Sequence, residues 1–129
     1  TVLGVSDKAT MGGVIKAANA NNAEAQIDLI SVKDKKAVAT EAARNGAQII
    51  GVHTGLDAQA AGQTPFADLK DIASLNLGVR ISVAGGLNKN TIQDTVRAGA
   101  TIVVVGAAIY GADSPAEAAK ELRALVDAA

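Results

Sequence analysis

Five short apolar runs, each followed by a stretch with helical spacing, constrain this chain more than any other feature. The runs are Thr1–Val5, Gln26–Val32, Gln48–His53, Val79–Ala84 and Thr101–Val105. They are brief, β-branched and nearly continuous, the pattern of parallel strands covered on both faces. Helices are predicted over Lys8–Ala20, Lys35–Asn45, Pro65–Leu75, Asn90–Ala98 and Pro115–Ala128. In the third, Phe66, Leu69, Ile72 and Ala73 share one face at helical spacing. Ser114 before Pro115, with Glu117 three residues on, is a helix start signal. Thr64-Pro65 and Asn88 give similar ones, and Gly46, Gly78 and Gly99 mark helix ends.

A weak internal repeat supports this division. Arg44-Asn45-Gly46-Ala47-Gln48-Ile49-Ile50 echoes Arg97-Ala98-Gly99-Ala100-Thr101-Ile102-Val103. Each joins a helix stop directly to a buried strand. Five units make about 26 residues each, and eight would need roughly 200, within the range of a (β/α)8 barrel. Periodicity alone leaves two architectures open, an open doubly wound sheet and five consecutive units of such a barrel. The glycine-rich turns favour the barrel. Ala84-Gly85-Gly86 and Val105-Gly106-Ala107-Ala108 follow the last two runs, whereas a flavodoxin-like sheet carries its phosphate loop after the first strand.

Bare turns at neighbouring strand ends expose backbone N–H groups, which bind anions. In (β/α)8 barrels the last two strand–helix turns commonly form a phosphate cup. Gly85, Gly86, Gly106 and Ala107 are the predicted cup, and a small phosphorylated molecule is the predicted ligand. Neither a Walker motif nor a G-x-G-x-x-G motif occurs, which disfavours nucleoside triphosphates and dinucleotides. The formal net charge of −1 gives no electrostatic case for nucleic acid or an anionic membrane. No apolar run approaches the roughly 20 residues of a membrane helix. No secretory leader is recognisable, and the chain lacks cysteine, so a reducing cytoplasm is its expected setting. Aromatic residues are 2% of the chain, so Ala, Val, Ile and Leu must build the core. The opening Thr1-Val2-Leu3-Gly4, without Met, resembles the inside of a strand and suggests a piece of a longer protein.

Four side chains are candidates for chemistry. His53, the sole histidine, ends the third run, where parallel α/β folds meet their ligands. It is suited to moving a proton near neutral pH, or it caps a loop carbonyl. Asp28 stands inside the apolar run Gln26-Ile27-Asp28-Leu29-Ile30. A carboxylate there is costly unless paired or metal-bound, so it is a base, a metal-shell ligand or an ion-pair partner. Asp57 and Gln59 follow in the loop, where they position substrate hydroxyls or tie the loop down. Lys33 reads as a solvated loop lysine.

Taken together, these stretches resemble the 3-hexulose-6-phosphate synthases of the orotidine 5′-monophosphate decarboxylase suprafamily of (β/α)8 barrels. The resemblance runs through Thr1-Val2-Leu3-Gly4, Asp28-Leu29-Ile30-Ser31-Val32-Lys33-Asp34, Val83-Ala84-Gly85-Gly86 and Val104-Val105-Gly106. Its most specific part is Val52-His53-Thr54-Gly55 with Asp57, Gln59 and Gly62. It implies one domain over residues 1–129, the fourth strand through the last helix of a barrel. It implies an aldolase joining formaldehyde to D-ribulose 5-phosphate, with Mg2+ stabilising an enediolate. Asp28 would lie near the metal and substrate oxygens, His53 would shuttle a proton, and the glycine cup would hold the phosphate. A homodimer with sites near the subunit interface is also implied.

Two relatives serve as contrasts. The 3-keto-L-gulonate 6-phosphate decarboxylases have Arg where this chain has Leu56, and Thr in place of Ala84, which argues for the synthase. The orotidine decarboxylases carry Arg where this chain has Ala107, so a nucleotide phosphate clamp is not expected. The acids and lysine of the family's Asp-x-Lys-x-x-Asp motif are not among these residues, so no metal ligand is certain in this segment. The 3-keto-L-gulonate 6-phosphate decarboxylase and a non-catalytic phosphate-binding half-barrel are the alternatives.

Overall fold

The computed structural model describes residues 1–129. Five strands form one parallel sheet: β1 (Val2–Leu3), β2 (Gln26–Asp28), β3 (Ile49–His53), β4 (Arg80–Ala84) and β5 (Ile102–Val104). Their order across the sheet is β1-β2-β3-β4-β5, and every pairing is parallel. A doubly wound sheet reverses direction at a switch point. This one never does, and right-handed crossovers between successive neighbours put all helices on the same face. The architecture is therefore five consecutive units of a (β/α)8 barrel.

The helices are α1 (Lys8–Ala20), α2 (Lys35–Arg44), α3 (Leu56–Ala60), α4 (Phe66–Ala73), α5 (Ile92–Arg97), α6 (Ala107–Tyr110) and α7 (Pro115–Asp127). Sheet register explains the two faces. Ile27, Ile50 and Ile81 are cross-strand neighbours, as are Val52 and Val83. All five side chains are buried, in one core with Ile15 of α1, Ala39 and Ala42 of α2, and Leu69 and Ile72 of α4. Burying a side chain of this size contributes about 2 kcal/mol. The alternate positions Leu3, Asp28, Gly51 and Ser82 line up on the opposite face, with His53, Ala84 and Val104 one step further along. Leu3 and Val104, on the two outer strands, are about half exposed there (47% and 50%).

Of the expected helix starts, Ser114 is an observed cap, whereas α4 and α5 begin after Pro65 and Thr91 with no side-chain cap. The Asp7 carboxylate accepts from the Thr10 N–H, Asp34 from that of Ala37, and Ser114 from that of Glu117. Two strands are shorter than their apolar runs. After Leu3 the chain turns, with Ser6 N–H donating to the Leu3 carbonyl. After Asp28, that residue's own Oδ1 accepts from Ile30 N–H at 2.9 Å, ending the strand. Ser31 then adopts φ 59°, and Val32 N–H closes a turn onto Leu29. Leu29 and Val32 remain buried, so the apolar run reflects burial beyond the strand.

Candidate functional site

The carboxyl ends of β3 to β5 converge on a cleft of about 380 Å3. Asp28 and His53 meet at its edge because register sets Asp28 opposite Gly51, and His53 lies two residues further on the same face. A side chain at position 51 would crowd the Asp28 backbone, its Cβ lying 3.3 Å from the Asp28 Cα, so glycine leaves room there. His53 Nδ1 is 3.0 Å from Asp28 Oδ2, while Oδ1 is held by Ile30 N–H. An ionised carboxylate only accepts, so Nδ1 carries the proton and Nε2 is left free. The carboxylate orients the ring through Nδ1, and a partly exposed imidazole so held presents Nε2 for proton exchange.

Two loops form the rest of the cleft. Gly85 and Gly86 follow β4, and Gly106 and Ala107 lead into the short helix α6. The N–H groups of Gly85, Gly86, Gly106, Ala107 and Ala108 donate to no group of the chain. Free amides on two neighbouring loops, one opening a short extra helix, suit a phosphoryl group. No lysine or arginine lines the cleft, so an anion placed there would meet backbone dipoles.

The predicted site residues separate into two groups. His53, Gln59, Gly85, Gly86, Gly106 and Ala107 line this one cleft, and Asp28 joins it through His53. Asp57 does not. It is exposed in the first turn of α3 and borders a different depression with Ile30, Ser31 and Lys35. Gln59 lines the cleft, but its Nε2 already donates to the Thr54 carbonyl at 2.7 Å. Lys33 lies away from the cleft in a charged surface patch. There Lys35 and Lys36 pair with Asp68 and Asp71.

Four further residues lie at or beside the cleft; Thr54 and Leu56 entered the sequence reading only through the family resemblance, and Asn88 and Tyr110 carried no site signal. Thr54 is buried beneath the β4 loop, and Asn88 braces that loop by donating to the Gly86 carbonyl at 3.2 Å. Leu56 and Tyr110 are exposed apolar and aromatic side chains at the mouth. Tyr110 is the single tyrosine of the chain and could have been flagged by that rarity.

Displaced ionisation equilibria lie away from the cleft. A hydrogen bond from Arg80 holds the Glu24 carboxyl below the usual range and raises the guanidinium. Arg123 and Asp127 shift one another in the same directions. Thr10, through its backbone N–H and hydroxyl, lowers the Asp7 carboxyl. The donor set does not make a metal shell: Asp28 has both oxygens hydrogen-bonded, and no three His, Asp or Glu side chains come together. No helix is long and apolar enough to cross a membrane.

Comparison with known proteins bears on this arrangement directly. The model of the orotidine 5′-phosphate decarboxylase / HUMPS family matches residues 1–122. The chain belongs to that family. It is 61% identical to the 3-hexulose-6-phosphate synthase of Methylomonas aminofaciens over 97% of its length and 60% of the relative's. The crystal structure of 3-hexulose-6-phosphate synthase from Salmonella typhimurium superposes with a TM-score of 0.92 at 36% identity, covering 98% of this chain and 60% of that one. The 3-keto-L-gulonate-6-phosphate decarboxylase of Vibrio cholerae shares the fold at 23% identity, with a TM-score of 0.79, 98% of this chain and 59% of that one covered. The chain thus spans about 60% of the length of the synthases it matches.

Proposed function

We propose that the protein carrying this chain is an aldolase that joins formaldehyde to D-ribulose 5-phosphate, forming 3-hexulose 6-phosphate. The observation that carries the proposal is one cleft joining the Asp28–His53 pair to the free amides of two glycine loops. Similarity at 61% and 36% identity to two synthases supports the choice of reaction.

In this reading the amides of Gly85, Gly86, Gly106 and Ala107 hold the phosphate at C5. His53 Nε2 removes a proton from C1, and the electron pair moves to the C2 carbonyl oxygen. The resulting C1 nucleophile attacks formaldehyde, a carbon–carbon bond forms, and the formaldehyde oxygen takes up a proton. Asp28 holds the ring in place through Nδ1 during these transfers. Asp57, exposed beside the cleft, stays a candidate for a substrate hydroxyl through loop movement. Mg2+ is expected from the family resemblance, but the donors of this chain do not assemble a site for it. Proton transfer and phosphate binding therefore rest on His53, Asp28 and the glycine amides.

The proposal extends to one domain over residues 1–129, a cytoplasmic homodimer, and no role for nucleic acid or a membrane. The absence of cysteine and the near-neutral charge support the setting.

The test is formaldehyde consumption by the native protein with D-ribulose 5-phosphate and Mg2+. Saturable loss of formaldehyde is expected, and His53→Gln should lower kcat by about 10²- to 10⁴-fold. Carbon dioxide release from 3-keto-L-gulonate 6-phosphate, without formaldehyde use, would reassign the protein to the decarboxylases. Phosphate binding with neither reaction would leave a binding module.

A further inference from the structure

We propose that Gln59 is a positioning residue, which holds the Gly85–Gly86 turn in its anion-binding shape by occupying the Thr54 carbonyl. The role rests on the reading of the cleft as a phosphate site.

The Gly85–Gly86 turn is a thin wall. On one side is the cleft, and on the other is a second cavity of about 520 Å3 bordered by Gln63, Thr64, Pro65 and Phe66 before and in α4, and by Thr91 and Asp94 at α5. Gln59, Gly85 and Gly86 line both. A turn with space behind it is not shaped by core packing, so its shape must come from specific contacts.

Those contacts meet at Thr54. Its N–H donates to the Ala84 carbonyl at 3.1 Å, which fixes the end of β4 to the end of β3. Its carbonyl receives no backbone N–H and is satisfied by Gln59 Nε2 at 2.7 Å. Gly85 presses so closely on this carbonyl that a Cβ would stand 2.5 Å from the oxygen. Gly86 lies over the other end of the same amide, where a Cβ would be 3.1 Å from Gln59 Oε1. Thr54 is buried, 7% exposed, and a buried carbonyl without a donor is costly. Without Gln59 the carbonyl would need another donor, and the adjoining glycine turn carries unbonded amides. The carbonyl would then compete with the phosphate for them. Gln59 prevents that competition. Its Nε2 is held by Thr54 and its Oε1 lies toward Gly86, so it acts on the ligand through the turn.

The experiment compares wild-type, Gln59→Met and Gln59→Glu forms of the native protein. It measures dissociation constants for inorganic phosphate and for D-ribulose 5-phosphate, and hydrogen exchange at the Thr54 amide. Gln59→Met should weaken both ligands by the same factor, roughly 3- to 10-fold, and speed exchange at Thr54. Gln59→Glu should match it at neutral pH and regain affinity, relative to wild type, as acid restores an O–H donor toward Thr54. Taking the ratio at each pH cancels the ionisation of phosphate and of His53, Tyr110 and Asp94, which line the two cavities in every variant. Undiminished phosphate affinity in Gln59→Met overturns the role. Loss confined to the sugar phosphate would make Gln59 a direct sugar contact instead. Failure of the wild-type protein to bind either ligand would overturn the phosphate reading itself, and this role with it.

Discussion

At the end of β4, Gly85 and Gly86 both have positive φ, 115° and 69°, and Gly85 lies against the Thr54 backbone. At the end of β5, Gly106 has φ −107°, and a Cβ there would meet only a ring carbon of Tyr110, at 3.3 Å. The two loops offer the same free amides to one cleft, but glycine serves them differently. In the first loop it is demanded by backbone conformation and by a neighbour that cannot move. In the second it leaves room beside a mobile, exposed side chain. A glycine-rich strand end is thus evidence of an amide cup, and its tolerance to change depends on what stands behind it.

The largest expected effect is that of Gly85→Ala. Its φ and the contact with Thr54 together should cost about 3 kcal/mol or more of stability, with loss of phosphate binding. Chemical denaturation and a phosphate titration measure both. Gly86→Ala should cost about 1 kcal/mol, because only left-handed backbone strain and a flexible Gln59 amide oppose it. In Gly106→Ala, stability should change by less than about 0.5 kcal/mol. Any loss of phosphate affinity there should be recovered by adding Tyr110→Ala. If Gly106→Ala proves as damaging as Gly85→Ala, the contrast between the loops fails.

The smallest effect is a separation of two pH windows. Asp7, Glu24 and Asp127 have lowered carboxyl pKa values. Their stabilisation is complete above the ordinary carboxylate value and is lost as pH falls through the lowered one. Phosphate binding should weaken earlier, as the dianion is protonated near pH 6. Circular dichroism should therefore stay constant across the range in which binding declines.

The alternation of apolar runs and helical spacing made the unit boundaries legible. Residues Lys8–Ala20 form a helix as expected, and the Ser114 start is an observed cap. The strand ends were less legible because Leu29 and Val32 are buried in a turn that Asp28's own carboxylate creates. Helices α3 and α6 span five and four residues, too short for a periodic signal. Helix α5 starts at Ile92, two residues after the expected Asn90, because Asn88 and Thr91 first close a turn. The unbonded amides of the two turns were legible as bare strand ends, because missing side chains mark exposed backbone. The Asp28–His53 contact was not, since it depends on the β2–β3 register. Nor was the tie of Gln59 to Thr54, because both readings of a loop glutamine fit the same letters.

The central claim is that two loops bind one phosphate through their amides. The direct measurement is a backbone amide NMR titration of the native protein with D-ribulose 5-phosphate. The account predicts that Gly85, Gly86, Gly106 and Ala107 shift together and saturate with one dissociation constant. Shifts confined to one loop, or two loops saturating at different concentrations, would contradict it.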